Sequence, residues 1–299
     1  MCGLGASGAE TSAKRFWAEN QPGFRFTAAA IGTPEFFSNV ERHRYEAEPH
    51  ILEIAEFDRW SGKDVLEVGC GIGTDGARFA RAGARYTGTD ASSDALELSR
   101  RRFELEALPG DFEVASASHL PYPNDSFDLV YSHGVVHHIH ETEGAVGEFY
   151  RVLRPGGTAL VMVYHRGSLN YRFSVMVVRR LLVALLLVPG ATRVVARLTG
   201  EEPALLEGHR GLLRRHGFRY VADRELFLSN NTDGPGNPLS KVYSRAEARE
   251  LFRAFGGVLL NVRFLNLRIY PGGHAFEGTK LGHRLARRIG WHLYIEAIK

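Results

Sequence analysis

The strongest constraint on the fold of this chain is a regular alternation of short apolar runs and helical patterns between residues 63 and 165. Each apolar run is bounded by glycine or polar residues, which is typical of a buried parallel strand. Alternation at this spacing predicts a parallel sheet with helices on both faces. The predicted strands are residues 63–69, 84–90, 111–118, 127–134 and 158–165, and the predicted helices are residues 73–83, 92–108 and 140–157.

The order of these elements also predicts where a ligand binds. Right-handed crossover connections place the carboxyl ends of all five strands at one edge of the sheet. Ligands of open α/β sheets bind along that edge. We therefore expect the functional residues to follow the ends of the strands.

The remaining segments are interpreted as additions to one sheet-based domain. Residues 1–60 carry several aromatic residues and are read as an N-terminal tail and helical cap. Residues 61–299 form the main domain, with an insert over about 167–242 that acts as a lid on the substrate pocket.

Two late strands complete the predicted sheet of seven. They cover residues 258–269 and 291–299, and a helix-like segment over 278–289 separates them. Before them, Ser244 and Glu247 have the spacing of a capping box at the start of a helix.

Composition and charge exclude several classes of protein. The net charge of +3, without a long basic run, argues against a nucleic-acid partner. Two cysteines do not form a disulfide framework, so we expect a reducing cytoplasm. The first 14 residues lack the basic start and apolar centre of a secretory signal. The oligomeric state is left open.

The most apolar segment covers residues 173–190. Arg179 and Arg180 divide it, and the unbroken apolar run 181–188 is shorter than the ~20 residues that span a bilayer. We expect no membrane span and a buried helix, with weak interfacial contact through residues 173–188 as the alternative.

A glycine-rich loop follows the first predicted strand, with the sequence LEVGCGIGTDG. Gly71, Gly73 and Gly76 satisfy G-x-G-x-x-G, the dinucleotide fingerprint. Taken alone, this spacing allows an NAD(P)-dependent oxidoreductase as one alternative.

Two details of the loop indicate a different ligand. Glu67 lies two positions before Gly69, and glycine then alternates as far as Gly73. Together these residues resemble the first motif of class I S-adenosylmethionine-dependent methyltransferases. LPYPNDSFDLV and RVLRPGG are similar to later motifs of the group that includes ubiquinone and menaquinone biosynthesis methyltransferases, the type 11 group.

The resemblance covers about residues 63–165, and two further stretches, 44–51 and 231–247, are similar to a bacterial branch of this group. It implies a Rossmann-like fold, S-adenosyl-L-methionine as cofactor, and in-line methyl transfer to a small-molecule acceptor. The apolar, aromatic cap and insert favour a hydrophobic or aromatic acceptor, as in bacterial specialised metabolism. O-, N- and C-methylation are open, and a non-catalytic cofactor-binding protein is a further alternative.

The resemblance also implies which residues hold the cofactor. Glycines let a backbone approach a ligand closely, the carboxylate of Glu67 can favour the methionine ammonium group, and Asp90 can accept both ribose hydroxyls. Cys70 is expected to pack within the loop and not to act as a nucleophile. The expected cofactor-binding residues are Glu67, Gly69, Cys70, Gly71, Gly73, Thr74, Asp90, Ala91, Ser116, Ala117, Ser118, Ser132, His133 and Gly134.

One position departs from the pattern of the group. An acidic residue usually follows the third strand and accepts the adenine amino group, but this chain has Ser116 there. We expect Ser116, Ser118 or backbone atoms to make weaker, neutral hydrogen bonds to adenine.

The stretch SHGVVHHIH follows the fourth strand and supplies the candidate bases. Histidine has an unperturbed pKa near ~6.5 and can take a proton near neutral pH. His137 and His138 are the alternatives, each with a packing role left open, and Tyr164 after the fifth strand could orient the substrate or share the proton.

A metal site in this stretch is disfavoured. His133, His137 and His140 would share one helix face, but the first and last lie about ~10 Å apart along a helix axis. No metal is therefore expected.

Overall fold

The structure of the chain is a computed structural model that describes residues 15–18, 20, 21, 23–267 and 279–299. The predictions for the first 14 residues, with Cys2, and for the end of the late strand at 268–269 lie outside the described residues.

Within the described residues, seven strands form one sheet. The strands are β1 (Asp64–Val68), β2 (Arg85–Asp90), β3 (Asp111–Val114), β4 (Phe127–His133), β5 (Leu153–Tyr164), β6 (Gly257–Arg263) and β7 (His292–Ile298). Their order is β3-β2-β1-β4-β5-β7-β6. β7 is antiparallel to β5 and β6, and the other pairings are parallel. The predicted seven-stranded, mostly parallel, Rossmann-like sheet is confirmed.

Helices surround this sheet, and most predicted ones are present with slightly shorter bounds. They are α1 (Pro34–Ala47), α2 (His50–Ala55), α3 (Thr74–Arg81), α4 (Ser93–Leu105), α5 (Thr142–Val152), α6 (Arg180–Leu185), α7 (Ala191–Thr199), α8 (Pro203–His216), α9 (Arg219–Ala222), α10 (Arg224–Thr232), α11 (Arg245–Leu251) and α12 (Lys280–Ile289). A π-helix, Asn170–Arg179, runs directly into α6, and short 3₁₀ turns cover Phe24–Phe26, Phe57–Trp60 and Val136–His138.

Successive residues of β1 pack on opposite faces of the sheet. Val65 lies in the same buried cluster as Phe79 of α3. Leu66 lies in a second cluster with Phe149 of α5 and Phe252 after α11. Burial of each such side chain stabilises the fold by about 1.5–3 kcal/mol. Both faces are therefore covered, as the alternation predicts.

The boundary between α5 and β5 differs from the prediction. The sequence predicts a helix to residue 157, but α5 ends at Val152 and β5 begins at Leu153. Leu153 already pairs with Phe127 of β4, and Pro155 cannot continue a helix. The strand therefore starts five residues earlier than the predicted start at residue 158.

β3 is also shorter than predicted, because it ends at Val114 and not at residue 118. The chain turns there, and Ser116 forms an isolated bridge with His119. Ser116 to Ser118 therefore lie in a turn beyond the strand.

The predicted capping box at Ser244 is confirmed. Its hydroxyl accepts from the backbone N–H of Glu247 at 3.2 Å, and its own N–H donates to the Glu247 carboxylate at 2.8 Å. Such caps contribute about 1 kcal/mol, and this one fixes the start of α11.

An ion pair between Arg44 and Asp75 connects the N-terminal helix α1 to α3, the first helix of the sheet domain. Asp75 on α3 is 3% exposed, and its carboxylate accepts two bonds from Arg44 on α1, at 2.7 and 2.5 Å. Tyr45 and Tyr131 donate to the same carboxylate at 2.8 and 2.9 Å. The buried carboxylate of Asp75 thus accepts hydrogen bonds from three side chains.

The prediction of a buried helix at residues 173–190 is wrong for one face. Val175 and Val183 are buried, but Leu181, Leu185 and Val188 are 65%, 50% and 55% exposed. Among the described residues, none of the helices combines the length and apolar character that a bilayer crossing requires.

Candidate active site

A cavity of about 610 Å³ lies at the carboxyl ends of β1, β2, β4 and β5, the edge that the sequence predicts. Its wall combines residues from the sheet loops, the N-terminal helices and the insert. The predicted site residues on this wall are Gly69, Gly71, Asp90, Ala91, Ser116, Ala117, Ser118, His133, Gly134, His138 and Tyr164.

The glycine loop has a backbone conformation that residues with side chains rarely adopt. Gly69 has φ +78°, and a Cβ there would lie 2.2 Å from Cγ2 of Val135. Gly71 has φ +54°, and a Cβ would point toward Gln21 at 3.4 Å. The backbone itself thus forms the cavity floor, which fits a ligand held at close range.

Asp90 shapes the loop and faces the cavity. Its Oδ2 atom accepts from the N–H of Gly71, and its Oδ1 atom accepts from the N–H of Ser92, both at 2.9 Å. Burial raises the pKa of this carboxyl group, although these backbone hydrogen bonds act to lower it. An ionised carboxylate oxygen accepts more than one hydrogen bond, so Asp90 keeps capacity for two ribose hydroxyls.

Glu67 does not lie on the cavity wall, although the sequence assigns it to the methionine ammonium group. Its carboxylate is 4% exposed and accepts a hydrogen bond from Tyr86 at 2.6 Å. Burial, and then the charge of Asp75, raises its pKa well above the usual range. The side chain faces inward because Glu67 shares the strand face of Val65, so direct contact with the ammonium group is not what this geometry provides.

Cys70, Gly73, Thr74 and Ser132 also lie behind the wall. Ser132 donates to the carbonyl of Val68 at 2.9 Å. Thr74 accepts from Arg102 at 3.3 Å. Burial raises the pKa of Cys70 well above its ordinary value, which agrees with packing and not with nucleophilic chemistry.

The turn after β3 lines the cavity where adenine is expected. Ser116 and Ser118 place their hydroxyl oxygens 3.1 Å apart. Glu141, which the sequence reasoning did not select, also lines the cavity. A carboxylate is therefore present on this wall although Ser116 replaces the usual acid.

His133 is held as a neutral ring. Arg44 Nη2 lies 3.3 Å from Nδ1, and the hydroxyl of Tyr294 lies 2.9 Å from Nε2. Because a guanidinium can only donate, Nδ1 accepts and Nε2 carries the proton. Burial, and then the charge of Arg44, lowers the pKa of His133 well below its usual value.

His137 and His138 differ in their surroundings. His137 is fully buried against Tyr164, with ring centroids 3.8 Å apart, and does not line the cavity. His138 does line it, and its Nδ1 atom lies 2.7 Å from the carbonyl oxygen of Leu239. A carbonyl only accepts, so Nδ1 carries the proton and the lone pair of the neutral ring lies on Nε2.

Nε2 of His138 is buried and carries the lone pair that a base requires. It has no hydrogen-bond partner among the described residues, and the nearest carboxylate oxygen, Oδ2 of Asp233, is 3.7 Å away. Tyr164 donates to Oδ1 of Asp233 at 2.7 Å. Burial, and then the charge of Asp233, raises the pKa of Tyr164 well above its usual value, so this hydroxyl stays protonated.

Several wall residues were missed by the sequence reasoning, namely Trp17, Gln21, Arg44, Glu48, Asp233 and His292. Arg44, Glu48 and Asp233 fall within the stretches 44–51 and 231–247, which resemble a bacterial branch of the group without an assigned role. That resemblance was the sequence signal from which these three wall residues could have been predicted.

One cluster of the described residues has the composition of a metal site. Glu48, His133 and His292 have potential ligand atoms within 4.8 Å of one another. Both ring nitrogens of His133 already have partners, and one of these is the cationic Arg44. We therefore assign no metal to this cluster.

Comparison with known proteins identifies the central part of the chain. A family model described as a methyltransferase domain matches residues 66–161. Methyltransferase GfsG of Streptomyces halstedii is 40% identical over 114 residues, which cover 37% of this chain and 41% of that protein. Fatty-acid O-methyltransferase of Mycolicibacterium smegmatis is 38% identical over 119 residues, 39% of this chain and 42% of that protein. The chain thus spans about two fifths of the length of these two relatives.

Solved structures agree in fold. The [4+2]-cyclase SpnF matches with a TM-score of 0.50 and 16% identity, over 99% of this chain and 94% of that one. Phosphoethanolamine N-methyltransferase 2 of Haemonchus contortus, solved with S-adenosyl-L-methionine, has the same TM-score and identity over 84% of this chain and 52% of that one. Residues 66–161 of the chain therefore match a methyltransferase domain, in agreement with the class I S-adenosylmethionine-dependent methyltransferases that its motifs resemble.

Proposed function

We propose that this chain transfers a methyl group from S-adenosyl-L-methionine to a small, largely apolar acceptor by in-line displacement. One observation carries the proposal. A single cavity is bounded by the glycine loop and Asp90 and also by His138, whose Nε2 atom is a buried ring nitrogen with an unshared lone pair.

The cofactor portion of the cavity is built by the loops of the sheet. S-adenosyl-L-methionine, when bound, supplies an electrophilic methyl group on a sulfonium. The backbone at Gly69 and Gly71 would leave room for it, Asp90 would accept hydrogen bonds from its ribose hydroxyls, and the turn at Ser116 and Ser118 would lie against its adenine. Alignment of reacting groups in such a site contributes about 7–11 kcal/mol.

The acceptor portion lies between β5 and the insert. His138 takes the proton of the acceptor on Nε2, and Asp233, 3.7 Å away, stabilises the imidazolium that forms. Tyr164 positions Asp233 by donating to it. A positioned base of this kind contributes about 10²–10⁴-fold in rate.

The wall around this portion favours an apolar acceptor. Trp17, Val135, Ile139 and Met162 line the same cavity. The fatty-acid O-methyltransferase among the relatives supports an acceptor of lipid-like character. The acceptor must carry an O–H, N–H or acidic C–H, because a base would otherwise have no proton to take.

The test is a methyl-transfer assay with S-adenosyl-L-methionine that carries a deuterated methyl group. Candidate acceptors are fatty acids, hydroxylated polyketides and phenols, together with fractions of a bacterial extract. We expect a mass shift of one labelled methyl group and stoichiometric S-adenosylhomocysteine.

Two outcomes contradict the proposal. Thermal stabilisation by NAD or NADP, and not by S-adenosylhomocysteine, would indicate an oxidoreductase. Tight cofactor binding without product from any fraction would indicate a non-transferring role, since a class I fold also serves a [4+2]-cyclase.

A further inference from the structure

The insert presents an apolar face to solvent. Val177, Leu181 and Leu185 recur every fourth residue along the π-helix and α6, and they are 44%, 65% and 50% exposed. Val194 and Leu198 repeat this spacing on α7 and are 59% and 73% exposed. These five residues define the exposed insert face. Exposed apolar side chains in such rows indicate an interaction site.

The part of the insert that carries this face, residues 167–219, is strongly positive. Residues 167–219 contain nine arginines and three glutamates, which give a net charge of +6. The whole chain carries +3, so the rest of it carries −3. The positive charge of the protein is thus concentrated in the segment that exposes the apolar rows.

Arginines also lie directly beside the apolar side chains. Arg193 and Arg197 precede Val194 and Leu198 by one position and are exposed. One residue turns a helix by ~100°, so the two arginines form a row along the side of the apolar row. Arg214 and Arg215 are exposed at the end of α8. This is the composition of a helix that lies in the surface of an anionic membrane.

We infer that the exposed insert face docks on the surface of a bilayer that contains anionic lipid. The apolar side chains enter the boundary between headgroups and acyl chains, and the arginines bind lipid phosphates. The inference does not rest on the proposed function.

The experiment is vesicle co-sedimentation of the full chain. The vesicles are phosphatidylcholine alone or an equimolar mixture of phosphatidylcholine and phosphatidylglycerol. We expect binding to the mixed vesicles, little binding to phosphatidylcholine alone, and weakening as salt shortens the range of the charges. Leu181→Glu with Leu185→Glu, and separately Arg193→Glu with Arg197→Glu, should each lower the partition coefficient by at least about tenfold.

The matched control is Leu259→Glu, because Leu259 is 61% exposed on β6, away from the insert. It should bind as the unchanged chain does. Circular dichroism melting curves identify variants that fail to fold, and the arginine variant provides a second measurement if the leucine variant unfolds.

Three results would overturn the inference. They are no sedimentation of the unchanged chain with mixed vesicles at low salt, undiminished binding of both folded double variants, and equal binding with and without anionic lipid. Light scattering adds a fourth. A dimer that Leu181→Glu with Leu185→Glu separates, with no vesicle binding, would show that a second copy covers the face.

Discussion

The Nδ1 atom of His138 donates to the carbonyl oxygen of Leu239 across 2.7 Å. His138 belongs to the turn after β4, and Leu239 belongs to the insert. This one bond fixes both the tautomer of the ring and the direction of its free nitrogen.

His138 should be required for turnover and not for cofactor binding. We expect His138→Gln to lower kcat by about 10²–10⁴-fold, with the Kd for S-adenosylhomocysteine unchanged by calorimetry. His119→Ala is the control, because His119 is exposed and does not line the cavity. Full turnover by the His138 variant would exclude it as the base.

Asp233 should act through His138. Loss of a hydrogen-bonded or paired charge costs about 1.5–3 kcal/mol, so Asp233→Asn should reduce kcat by roughly 10–150-fold. Tyr164→Phe, which removes only the 2.7 Å bond to Asp233, should cost less. In the background of His138→Gln, both losses should largely disappear, and additive losses would argue against a coupled pair.

Gly69→Ala should abolish cofactor binding. Alanine would be strained at φ +78°, and its Cβ would lie only 2.2 Å from Cγ2 of Val135. Gly156→Ala is the matched control, because it has φ +79° with no atom within 4 Å of the new Cβ. The control should lose only about 1–2 kcal/mol of stability from backbone strain and keep its affinity for S-adenosylhomocysteine. Equal behaviour of the two variants would contradict the close-approach argument.

Asp75 should make stability depend on acidic pH. Burial alone would raise its pKa, but the charge and hydrogen bonds of Arg44 bring it below the usual value. A lowered pKa in the folded state means that the stabilisation is present above the unfolded pKa and is lost as pH falls through the folded value. Urea denaturation should therefore show Asp75→Asn to be less stable at neutral pH, by about 3–5 kcal/mol.

The difference in the free energy of unfolding between the unchanged chain and Asp75→Asn should become smaller at acidic pH. The unchanged chain should lose stability below about pH 4 more steeply than Asp75→Asn, because only the former has this carboxylate to protonate. Parallel curves would show that Asp75 is not the source of the dependence.

The sheet was predictable because its signals are local. Apolar runs, glycine at strand ends and helix caps act within a few residues, so the order of the elements follows from adjacent sequence. The same holds for Gly69, Asp90 and Ser116, which lie at the end of a strand or within two residues after it.

The partners of these residues were not predictable from local pattern. Arg44 and Asp233 reach the cavity only through tertiary packing, 31 positions from Asp75 and 69 positions from Tyr164. Glu67 was assigned to the ligand by resemblance. The face of the sheet on which its side chain lies is, however, determined by packing against α3. The helix at residues 173–190 was expected to be buried because hydropathy does not distinguish a core face from an exposed one.

The pair formed by His138 and Asp233 has a consequence for redesign. The histidine follows β4 of the sheet domain, whereas the carboxylate 3.7 Å from it comes from the insert. Exchange of that segment with one from another enzyme would alter the shape of the chamber and the strength of the base in a single step. Under the proposed function, acceptor preference and acid–base chemistry are therefore inherited together.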